Sequence, residues 1–100
     1  ATALGPVAAR LLAVKGCNQG YWRADLARAN GWDETLVDWG AEDKELAARL
    51  RNAGVRRRGL LGAALAWHLH HPPAPRDRAA ENLARAAESR ATGRVRCAHG

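Results

Sequence analysis

Leu46 and Leu50 stand one helical turn apart, with Ala47 and Ala53 beside them and Gly54 following. That spacing predicts an amphipathic helix over residues 45–53. A second helix is predicted over residues 77–91, where Ala79, Ala80, Leu83, Ala86 and Ala87 make one small apolar face. Asp77 is its candidate cap, Glu81 and Arg85 stand one turn apart, and Gly93 follows its end. A short helix over residues 23–29 stops at Asn30-Gly31, a pair suited to the left-handed cap conformation. Another short helix is expected over residues 7–14, with Val7, Leu11 and Leu12 on one side. The remaining segments lose the helical period. Residues 15–23 read as an extended segment with a bend, and residues 32–38 as a loop carrying Asp33, Glu34 and Asp38. Residues 55–71 hold a basic run and then an apolar one, interrupted by Gly59 and Gly62 and closed by Pro72-Pro73. Glycines disfavour a helix there, so this stretch reads as two short strands. The fold class expected from the whole pattern is α/β, of an α+β-like kind: short helices with a few short strands.

Composition narrows the picture. One hundred residues make one small domain or part of a larger one. Much of the apolar content is alanine, Phe and Met are absent, and four Trp supply most of the bulk. Such a core is thin, so a partner surface or self-association is expected. The chain opens on Ala1 rather than Met, which reads as a trimmed chain or a fragment. Its formal charge is +6, carried almost entirely by Arg. A basic balance suits phosphate-bearing partners. The cations are scattered, however, and only Arg56-Arg57-Arg58 form a run, so no nucleic-acid partner is expected. Cys17 and Cys97 are too few for a stapled secreted domain. Both read as reduced, which points to a cytoplasmic location. No apolar run reaches membrane-spanning length, the best being residues 60–67.

Two constellations carry candidate chemistry. The first is Trp39-Gly40-Ala41-Glu42-Asp43. Two carboxylates at a helix start most often serve the helix itself, facing the positive end of its dipole. The Trp-Gly pair before them adds a second reading, a large ring on a glycine hinge that folds over a ligand. The second constellation is Trp67-His68-Leu69-His70-His71. A histidine at a strand end is commonly a hydrogen-bonded surface residue, while three imidazoles in four positions suit a metal. On a strand His68 and His70 would share one face. Cys17, Cys97 and His99 match no zinc-finger spacing, so a partly open divalent site fits better than a closed zinc site. The sequence has no Gly-rich phosphate loop and no Asp-x-Asp.

Taken in order, Gly16-Cys17-Asn18, Trp22-Arg23-Ala24-Asp25-Leu26, Asn30-Gly31-Trp32-Asp33-Glu34 and Trp39-Gly40-Ala41-Glu42-Asp43 resemble a known family. They look like the C-terminal, acceptor-side part of inverting GT-A glycosyltransferases. The likeness is to bacterial family-two enzymes of surface-polysaccharide synthesis and to the galactosyltransferases. Ala66-Trp67-His68-Leu69-His70-His71-Pro72 resembles the later segment that supplies a metal-binding His. The resemblance covers roughly residues 15–73 of a single partial domain spanning 1–100, with the 77–91 helix beyond it. It implies that Asp43 is the base for the acceptor hydroxyl, that Glu42 holds the transferred sugar or the acceptor, and that Trp39 and Gly40 form the loop closing over the donor. It implies further that Gly16 and Cys17 line the sugar site. His68 would bind a divalent metal, Mn2+ or Mg2+. The implied partners are a UDP-sugar donor, a glycan acceptor and an N-terminal donor-binding half bearing Asp-x-Asp. The implied location is cytoplasmic, peripheral at the inner face of the membrane. Ala41 departs from the second glycine usual in the motif, which would stiffen the loop. Without a donor-binding half the hundred residues alone are expected to be inactive. The alternative is a non-catalytic glycan-binding or docking module.

Overall fold

Glu42, Asp43 and Glu45 precede Arg49 and Arg51 on one short stretch. Negative charge at its start and positive charge at its end both complement a helix dipole. In the computed structural model, which describes residues 18–60, 66–67 and 69–100, this stretch is a helix. Three helices follow one another: α1 is Arg23–Ala29, α2 is Glu42–Asn52 and α3 is Ala79–Thr92. α2 packs most extensively on α3 and also touches α1. The helix expected over 45–53 therefore begins three residues earlier, at Glu42. Ala41 takes its cap position with no side-chain hydrogen bond.

The α/β expectation is overturned. The described residues contain three helices and no strand. The two short strands expected within 55–71 are absent from residues 55–60, 66–67 and 69–71. A strand needs a neighbour to satisfy its backbone groups. Residues 56–60 and 69–76 are exposed, with arginines, histidines and prolines that suit solvation better than a sheet ladder. Residues 61–65 and the helix expected over 7–14 lie outside the described residues.

Among the described residues Ala29, Leu46 and Leu50 form a buried apolar cluster, with Tyr21, Leu26 and Val55 packed against it. A buried ionic network fastens the helices around it. Arg49 is wholly buried, and its Nε donates to both oxygens of Glu45, at 2.8 and 2.9 Å. The Arg49 guanidinium also donates to the carbonyls of Ala29 and Gly31, the latter at 2.8 Å. Ser89 on α3 donates to Glu45 at 3.0 Å. One guanidinium thus satisfies carbonyls at the C-terminal end of α1 while its carboxylate partner reaches α3. α1 ends as expected: Asn30 is left-handed, at φ 61°, and the amide of Gly31 returns to Leu26 at 2.9 Å.

Two ion pairs differ from the expected ones. Glu81 pairs with Arg78 at 3.2 Å rather than with Arg85. Arg85 instead reaches Asp33 at 2.8 Å. A surface i,i+4 pair contributes only a few tenths of a kcal/mol, whereas a buried carboxylate needs a counter-charge. Asp77 is not the cap of α3, because Arg78 holds that position and donates no side-chain cap bond. Residues 94–100 are folded back onto the α1 end. The Cys97 amide donates to Ala29 at 3.2 Å, Asn30 Nδ2 donates to the Cys97 carbonyl at 3.0 Å, and the Glu34 amide donates to His99 at 2.8 Å. Asn52 Nδ2 donates to Arg94 at 2.7 Å and to Ser89 at 2.9 Å.

Asp33 gives the fold an acid-sensitive joint. Burial pushes its carboxyl up. The Thr35 side-chain and backbone hydrogen bonds and the charges of Arg85 and Arg49 outweigh burial and hold it below its ordinary value. A lowered folded value means stability that is present above the unfolded value, about 3.9, and is lost as pH falls through the folded one. We expect the urea midpoint to drop as pH falls below about 4, and to drop less steeply in Asp33→Asn. Equal slopes for the two proteins would remove Asp33 from the acid transition.

Candidate functional site

The loop leading into α2 is built from left-handed backbone. Asp38, Gly40 and Ala41 have φ of 63°, 121° and 65°. A Cβ at Gly40 would lie 3.5 Å from Ala79 Cα, an ordinary contact, so the backbone angle rather than crowding selects glycine there. Ala41 pays about 1–2 kcal/mol for its left-handed conformation. Its methyl is buried, which returns up to about 0.8 kcal/mol. A glycine would relieve the strain but lose about 0.4–1 kcal/mol to the freedom of the unfolded chain. The terms nearly cancel, so alanine stands in a glycine position at little net cost.

Contacts from residues 75–82 hold this loop. The Trp39 amide donates to the Pro75 carbonyl at 3.0 Å. Asn82 Nδ2 donates to the Val37 carbonyl at 3.0 Å. The Arg76 guanidinium carbon sits 4.0 Å from the centre of the Trp39 ring. Trp39 nevertheless keeps 45% exposure, enough to meet a ligand.

Glu42 and Asp43 lie in the first turn of α2, both partly exposed. Asp43 Oδ1 accepts the Lys44 amide at 2.7 Å, so this carboxylate serves the helix start as well. Tyr21 is its neighbour. Burial, and after it the charge of Asp43, hold the Tyr21 phenol above its ordinary 10.0. Its hydroxyl donates to Gln19, and its ring meets Trp32 edge-on, with centroids 5.4 Å apart. Sequence reasoning did not bring Tyr21, Trp32 and Asp43 together. The available signal was the placing of aromatics at both ends of α1, whose seven residues leave those ends close. Tyr21 is the only tyrosine, so tyrosinate absorbance reports it alone. We expect its titration midpoint to lie above 10.0 and to move down in Asp43→Asn. An unmoved midpoint would separate the two groups.

The remaining sequence candidates are divided. Gly16, Cys17 and His68 lie outside the described residues. His70 is exposed, and His71 Nδ1 lies 2.9 Å from the Pro72 carbonyl. Among the described residues no three His, Cys, Asp or Glu side chains gather to hold a metal, so these residues do not by themselves compose a metal centre. Cys97 is a buried free thiol. Among the described residues no helix is long and apolar enough to cross a membrane. Trp22 and Trp67 are 81% and 92% exposed.

Residues 10–72 match a family model described as the N-terminal domain of galactosyltransferase. That description supports a glycosyltransferase relationship in general. It names an N-terminal domain, where the resemblance in the sequence implied the C-terminal, acceptor-side part. No curated protein and no solved structure matches the chain. The matched span includes Gly16, Cys17, the whole run from Trp39 to Asp43, and His68, and it stops before α3.

Proposed function

This chain belongs to the family of the galactosyltransferase N-terminal domain, and we propose that it is part of an inverting glycosyltransferase. The reaction moves a sugar from a nucleotide-sugar, a UDP-sugar, to the hydroxyl of a glycan acceptor. The observation that carries this reading is the family match itself, because residues 10–72 contain the entire Trp39-Gly40-Ala41-Glu42-Asp43 run. In the proposed reaction the acceptor oxygen bonds to the anomeric carbon as the bond to the diphosphate breaks on the opposite face. The acceptor proton passes to Asp43, a partly exposed carboxylate at the start of α2. Glu42 holds the sugar, Trp39 stacks on it, and Gly16 and Cys17 line its site. Closing such a site against water protects the donor from hydrolysis. A divalent cation, Mn2+ or Mg2+, with His68 among its ligands, belongs to the same proposal. So do a role in polysaccharide synthesis and a cytoplasmic setting at the membrane's inner face. The donor-binding half with its Asp-x-Asp would be supplied from outside these hundred residues.

The test supplies the protein carrying this chain with manganese, a panel of UDP-sugars and simple glycan acceptors. Acceptor-dependent release of nucleotide that is lost in His68→Ala is the expected result. The exposure of Trp22 and Trp67 favours a second reading, a non-catalytic module that binds glycan or docks on a partner. Glycan binding with no nucleotide release would select that reading over the first.

A further inference from the structure

We infer that Arg76 is a positioning residue for Trp39: residues 75–82 strap the Trp39 loop down, so that its ring is a preset sugar platform instead of a free flap. Three contacts make the strap. Pro75 accepts the Trp39 amide at 3.0 Å, Arg76 lies over the ring at 4.0 Å, and Asn82 donates to the Val37 carbonyl at 3.0 Å. They act on a loop that needs them. Asp38 and Ala41 are non-glycine residues with positive φ, and such conformations persist only where the surroundings impose them. Among the described residues, the strap supplies these restraints from far along the chain.

Arg76 acts on the ring itself. A guanidinium covering one face of an indole leaves the other face for a ligand. Arg76 is exposed, so it keeps much of its hydration while it stacks. The ring is also tied to the chemistry, since Glu42 and Asp43 begin α2 only three residues after Trp39. Fixing the ring therefore fixes where a stacked sugar lies relative to Asp43. If the ring spends only a fraction of its time in place, the apparent sugar affinity falls by that fraction. This consequence rests on the proposal that Trp39 contacts the sugar.

Two measurements test the inference in the protein carrying this chain. In the first, NMR should show Arg76 side-chain protons shifted upfield by the Trp39 ring and restored in Trp39→Leu. The Trp39 amide should exchange about two- to five-fold faster in Arg76→Ala, and close to the wild-type rate in Arg76→Lys, which keeps a cation over the ring. Unshifted Arg76 protons, or unchanged exchange in Arg76→Ala, overturn the strap. In the second, the UDP-sugar turned over fastest in a panel is the probe. Arg76→Ala should raise its KM about two- to five-fold with little change in kcat, and Arg76→Lys should recover most of the loss. A parallel fall in kcat and thermal stability would make Arg76 merely structural and overturn its positioning role. If Trp39→Ala leaves KM unchanged, Trp39 is not the sugar contact and the functional consequence fails with it. If no UDP-sugar is turned over, the transferase reading fails, and the NMR result still decides the strap.

Discussion

Arg49→Met should remove a large part of the protein's stability, with an expected loss of about 3–5 kcal/mol. A domain of this kind has only about 5–15 kcal/mol of stability in total. Leu46 and Leu50 are not the whole of what holds α2 in place. Arg49 carries no exposed surface, and Glu45 is 1% exposed. Methionine fills much of the same volume but leaves the Glu45 carboxylate without its cation. It also strips the donor from the carbonyls of Ala29 and Gly31 at the end of α1. Ser89 would still donate to Glu45. Removing both charges should be milder than removing one, because no buried charge is left alone. The double variant Glu45→Gln, Arg49→Met should therefore recover part of the loss, though the two carbonyls stay unsatisfied. Urea denaturation of the single and double variants measures this. A loss under about 1 kcal/mol in Arg49→Met would show that the network is incidental to stability.

Asp43→Asn should lower turnover in the proposed transfer reaction by about 10²–10⁴-fold while leaving donor binding nearly intact. An amide has the shape of the carboxylate but cannot take the acceptor proton. The structure provides the needed control. Asp43 also serves the first turn of α2, where losing a charge at the helix start costs only about 0.3–1 kcal/mol. The variant should remain folded, so lost activity would not be lost structure. Steady-state kinetics and a separate donor-binding measurement distinguish the two roles. A variant that keeps most of its turnover would leave Asp43 as a helix-start carboxylate alone, which is its commoner role.

The local punctuation of the helices was legible in the sequence. Asn30-Gly31 after residues 23–29 and Gly93 after residues 77–91 both stand at left-handed ends, because backbone conformation there is set by neighbours in sequence. The Trp39–Asp43 run was also legible as a bent entry into a helix. Long-range choices were not. Nothing local shows that residues 55–60, 66–67 and 69–71 form no strand, since a ladder is a property of two segments. Arg85 had an equally plausible neighbour in Glu81, and only burial of Asp33 across the fold redirected it. Glu45 and Arg49 stand one helical turn apart, a spacing that suits a surface pair equally well. Their burial depended on the ends of α1 and the face of α3 meeting around them. Likewise nothing local to Trp39-Gly40 pointed to Pro75 and Arg76, which lie against the Trp39 amide and ring. Sequence by itself determined the glycine and asparagine stops of the helices and which carboxylates stand beside the tryptophan, but not where α2 and α3 begin. The tertiary structure decided which charges are buried, which are paired and what holds the ring, because desolvation and counter-charge depend on segments that are distant along the chain.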